Sequence, residues 1–113
     1  MLGSLMSLRR GREIDCLDVA VIIIKVKTGD DLSALRDRSN LFAWRSLLVE
    51  VDQVARERPA LVQFRRDGFA PHVGVIHRGK VTHLKSQAVV TEPLSLARRG
   101  WDKIRYYQWQ KPS

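Results

Sequence analysis

The chain has 113 residues, 44% hydrophobic and 28% charged, with a formal net charge of +8. That length fits one small domain with its own core, and the composition excludes a collagen-like or wholly disordered chain. One cysteine, Cys16, excludes an intrachain disulfide and a zinc site built from several thiolates.

In chain order, residues 1–10 read as a short basic tail, the single domain as 11–109, and 110–113 as a polar C-terminal tail. In the opening stretch MLGSLMSLRRGRE the weakly apolar residues precede the arginines, the wrong order for a secretory signal. A chain made and folded in the cytoplasm is the resulting expectation. Asp15 is a suitable N-cap, and Leu17, Ala20, Val21 and Ile24 fall at helical spacing up to a stop at Gly29. The β-branched run Val19 to Val26 also fits a buried strand by propensity; the caps and spacing favour helix. Its apolar core, Val19–Ile24, is too short to span a bilayer.

Asp30–Arg38 reads as a short helix. Asn40 reads as the cap of a longer one that ends before Pro59, with Leu41, Trp44, Leu48, Val51 and Ala55 as its apolar stripe. Beyond Pro59 the pattern becomes period two. Strands are predicted over Ala60–Arg65, His72–His77, Lys80–Leu84, Ala88–Thr91 and Lys103–Trp109, with a turn at Asp67-Gly68 and a helical turn within Pro93–Arg99. Helices first and strands afterwards predict an α+β domain, with N-terminal helices packed on an antiparallel sheet.

The hairpin carries the chemistry. A two-residue turn at Arg78-Gly79 pairs His77 with Lys80 and sets Gly74 opposite His83. Residues at alternate positions share a face, so His72, Gly74 and His83 project together and His77 projects away. At the other end of the chain, Cys16 heads the first predicted helix, where unpaired N–H groups and the helix dipole favour a thiolate. A nearby imidazole could serve as base, and a second imidazole could fix its tautomer. The expected geometry is a helix facing the sheet surface that bears both histidines, with the Cys16 sulfur close to the His72 ring. A single Cys and histidines on separate strands give no paired-ligand spacing, so no metal or cofactor is expected.

Gly11-Arg12 ahead of Asp15-Cys16-Leu17, then His72-Val73-Gly74-Val75 and finally His83, resembles the NlpC-type cysteine peptidases. The likeness is greatest to the tail assembly proteins of long-tailed bacteriophages that carry this domain, and it runs from about Gly11 to Tyr107. It implies a compact papain-like fold with Cys16 as nucleophile, His72 as base and His83 as orienting residue. It further implies cleavage of the peptide stems of peptidoglycan, from a virion tail tip acting at the bacterial wall among other tail tip and hub proteins. The chain departs from the family pattern at Leu17, where an aromatic residue is usual, at Asp18, where a small one is usual, and at Pro59-Ala60-Leu61, where Pro-Gly-Asp is usual. Two other readings remain open. One is a structural tail component that keeps the fold without using the thiol. The other is a nucleic-acid-binding module, which rests only on the basic clusters Arg9-Arg10-Arg12, Arg65-Arg66 and Arg98-Arg99 and has no reading motif beside it.

Overall fold

The protein is described from a computed structural model covering residues 15–36, 41–55 and 57–109. The two predicted tails, the Gly11-Arg12 pair, the first arginine cluster and the Asn40 cap lie outside the described residues.

The first helix, α1 (Cys16–Thr28), is fixed at both ends by its own sequence. The Asp15 carboxylate accepts from the N–H groups of Leu17 at 3.1 Å and Asp18 at 3.0 Å, while Asp18 Oδ2 accepts from the Asp15 N–H at 3.1 Å. This reciprocal capping box stabilises the helix by about 1 kcal/mol or more. Gly29 ends it in the left-handed region, with φ 81°, and donates to the Lys25 carbonyl. Leu17, Ala20, Val21 and Ile24 are buried, whereas Val26 is 80% exposed. The β-branched run is therefore helical because one stripe is buried and both ends are capped, outweighing its strand propensity.

A 3-10 turn (Ser33–Arg36) follows and returns Arg36 to α1, where its Nε donates to Asp18 Oδ1 at 2.8 Å. The second helix, α2, spans only Leu41–Leu47, and the chain passes directly into strand β1 (Leu48–Val51). This corrects the long helix predicted up to Pro59. Leu48 and Val51 belong to an edge strand whose pairing runs from Leu48 opposite Trp109 to Val51 opposite Tyr106. The final strand supplies a ladder that the local apolar spacing does not reveal, and those hydrogen bonds decide between helix and strand.

The remaining elements are β2 (Ala60–Arg65), β3 (His72–His77), β4 (Lys80–Lys85), β5 (Ala88–Pro93), the single-turn helix α3 (Leu94–Ala97) and β6 (Lys103–Trp109). The six strands of the described residues form one antiparallel sheet in the order β1-β6-β2-β3-β4-β5. The α+β architecture of a helix on an antiparallel sheet is thus present. Strand alternation divides the core between the two faces. On one, α1 packs its buried stripe against Leu61, Val75 and Trp109, with Val73 and Tyr107 beside them. On the other, Ala60, Val62, Phe64, Ile76 and Val81 pack under Ala97, with Trp101 alongside. Trp109 also ties the last strand to the end of α1, its indole N–H donating to Asp30 Oδ2 at 2.8 Å. Among the described residues no helix is long and apolar enough to cross a membrane.

Candidate active site

The β3–β4 hairpin has the turn expected from Arg78-Gly79. Both residues take positive φ, 55° and 80°, and His77 pairs with Lys80. Continuing that register sets Gly74 beside His83, and no side chain can stand at position 74. A Cβ there would lie 2.9 Å from His83 Cβ and from Val81 Cγ1. The absent side chain lets β4 bring His83 down onto the sheet, where it is 3% exposed.

His72 and His83 meet directly. His72 Nε2 lies 2.7 Å from His83 Nδ1, and the ring centroids are 5.0 Å apart in an edge-on arrangement. The His72 ring stacks on Phe64 at 5.7 Å and on Trp101 at 5.8 Å, the second contact nearly parallel at 12°. These walls cover part of the ring. Burial first, and the neighbouring His83 second, push the His72 pKa down to about 4. At neutral pH His72 is therefore an uncharged imidazole, able to accept a proton.

Behind the pair stands a residue that the sequence analysis passed over. Glu92 Oε2 lies 2.7 Å from His83 Nε2, and Lys85 Nζ donates to both Glu92 oxygens at 3.2 Å. The hydrogen bond with His83, assisted by Lys85, holds the Glu92 carboxyl below the usual carboxylate range. The turn at Ser86-Gln87 also takes positive φ at both residues, 50° and 72°, which sets Val90 opposite His83 and makes Glu92 its diagonal neighbour. His72, His83, Glu92, Arg99 and Trp101 share the wall of one cavity of about 550 Å³. His77 points away, as expected, and its Nε2 lies 3.4 Å from the Glu57 carbonyl oxygen.

Cys16 is the first residue of α1 and is half-buried. It opens into a second, largely apolar cavity of about 500 Å³ whose walls include Leu17, Trp44, Gln63, Pro71 and Val73. Trp44 Nε1 and Gln63 Oε1 are buried there without a hydrogen-bond partner. This corrects the expected geometry: the two histidines share one face as counted, but α1 covers the opposite one, because its apolar stripe packs on Val73 and Val75, so the sheet does not present the pair to the helix that bears Cys16. Cys16 and the histidine pair consequently open into separate cavities, each lined in part from the start of β3. Pro71 and Val73 line the first, and His72 between them lines the second.

Among the described residues no group of three or more His, Cys, Asp and Glu side chains is arranged to hold a metal ion. No family model, curated protein or solved structure matches the chain.

Proposed function

We propose that the chain is a cysteine hydrolase of the NlpC type that cuts the peptide stems of bacterial peptidoglycan. In this reading Cys16 is the nucleophile, His72 the base and His83 the residue that orients the base. The observation that carries it is the 2.7 Å bond between His72 Nε2 and His83 Nδ1. That bond occupies one ring nitrogen of a neutral, aromatic-walled imidazole and leaves Nδ1 for the thiol proton. At the N-terminus of α1 the helix dipole favours the thiolate, while the Leu17 and Asp18 N–H groups are already taken by the Asp15 cap. The nearby Asp18 carboxylate, the unusual residue after Leu17, is paired with Arg36 at 2.8 Å.

The two cavities are lined by consecutive residues at the start of β3, Pro71 and Val73 on one side and His72 on the other, and the reading requires sulfur and base to reach one scissile amide there. A neutral base at rest implies that thiol and imidazole form no standing ion pair; the proton moves to His72 as sulfur attacks the carbonyl and passes to the leaving amine. A tail tip delivering such a domain to the wall fits the family resemblance. A stem-peptide analogue carrying a vinyl sulfone tests the site by intact mass. One covalent adduct on Cys16, slowed in His72→Ala, supports it; equal labelling with and without His72 removes the base.

A second reading follows from one specific observation: α1 and the histidines occupy opposite faces of the sheet. A tail component whose thiol is unused accounts for that separation. The cleft lined by Arg65, Arg66, Lys103 and Arg105, four cations against the carboxylates of Asp67 and Asp102, would then meet an acidic neighbour. Tail assembly that needs the domain but tolerates Cys16→Ala, with no cleavage by the wild type, selects this reading.

A further inference from the structure

We propose that Glu92 is a positioning residue that sets the proton register of the histidine pair and so decides which nitrogen of His72 is free to act as base. The chain of contacts runs Lys85, Glu92, His83, His72, with every link at hydrogen-bond distance. An ionised carboxylate can only accept, and a neutral imidazole has one donor nitrogen and one acceptor nitrogen. The His83 hydrogen bond, with Lys85 beside it, favours the ionised Glu92 carboxylate, so the bond at His83 Nε2 must be donated by the ring. For a neutral His83 ring, Nδ1 is then an acceptor, and the His72 nitrogen facing it, Nε2, must carry the proton. The lone pair of His72 is thereby left on Nδ1.

Without Glu92 nothing at the far end selects this register. His83, 3% exposed, could carry its proton on Nδ1 instead. His72 Nε2 would then become the acceptor, and the His72 proton would move to Nδ1, blocking the base. Among the described residues, the other charged groups at this cavity are Lys85 and Arg99; both are cations, and neither can accept the His83 proton. Trp101 and Phe64 contact His72 through their ring faces and do not discriminate between its nitrogens. Glu92 is therefore the acceptor that breaks the symmetry, and it acts through His83 without touching a reacting atom.

The register rests on the hydrogen bonds alone; its use for a thiol proton rests on the hydrolase reading above. Long-range proton–nitrogen correlation spectra of the nitrogen-15-labelled full chain at pH 7 read the tautomer of each ring directly. In the wild type both His72 and His83 are protonated on Nε2, with a preference of about tenfold or more from one charge-assisted hydrogen bond. In Glu92→Leu that preference falls toward equal populations. Glu92→Gln, which keeps an acceptor oxygen, restores most of it. Activity follows the same order, with kcat for a stem peptide about tenfold lower in Glu92→Leu at unchanged KM. A wild-type spectrum with either ring protonated on Nδ1, or a folded Glu92→Leu spectrum identical to the wild type, overturns the proposal. If Glu92→Leu does not fold, the wild-type and Glu92→Gln spectra still decide it. Correct tautomers together with unchanged cleavage by Cys16→Ala would leave the register standing and remove the hydrolase.

Discussion

Substituting Gly74 by alanine isolates the packing that holds the histidine pair. The new Cβ would meet His83 Cβ and Val81 Cγ1 at 2.9 Å and the Thr82 carbonyl oxygen at 3.2 Å. The closest atoms belong to side chains fixed near their own backbone, Val81 is fully buried, and the third contact is backbone. No flexible chain end can swing aside, so β4 itself must shift. Overpacking of this kind costs about 1–3 kcal/mol, which lowers the melting temperature of a domain this size by about 4 °C per kcal/mol. Strain at this point also lifts His83 from His72, since the two strands meet there. Thermal unfolding followed by circular dichroism reads the first effect, and the imidazole proton resonances read the second. A Gly74→Ala protein with unchanged melting temperature and an intact His72–His83 bond would refute the close approach on which the site depends.

Two further outcomes follow from the geometry. Asp15→Ala removes both N–H acceptors at the start of α1 and half of the capping box. It should lower stability by about 1–2 kcal/mol in urea denaturation, and the loss should be undiminished in Cys16→Ala because the cap does not use sulfur. His72 makes stability depend on pH: its folded pKa of about 4 lies below the ordinary 6.5, so between those values the unfolded chain binds the extra proton. This contribution is complete above pH 6.5, is lost as pH falls toward 4, and changes no further below that. With allowance for solvent screening of a half-exposed ring, it is on the order of 1–2 kcal/mol. His72→Phe should flatten that part of the profile; an unchanged slope would mean that His72 is not the buried neutral group.

Much of the fold could be read where a local rule and a tertiary demand agree. Asp15 and Gly29 bound α1 because capping chemistry is written in adjacent residues, and Arg78-Gly79 sets the hairpin register because a two-residue turn admits few backbones. The contact between His72 and His83 followed from that register by counting. Three features were not legible, for a common reason. Leu48–Val51 became a strand because β6, more than fifty residues later, offers it a partner. The face on which α1 docks depends likewise on which side of the sheet its stripe fills. Period two says that Val73 and His72 point apart, but not which of them meets the helix. Glu92 was missed because an acidic residue on a polar edge strand looks like a solvated surface group until the register of β5 is known.

The most direct test is digestion of purified peptidoglycan by the wild-type protein and by Cys16→Ala at matched concentration, with the released fragments weighed by mass spectrometry. The account predicts new peptide termini within the stems from the wild type and none from Cys16→Ala, although both proteins are folded. Identical fragments from both, or no fragments from a folded wild type, would contradict it.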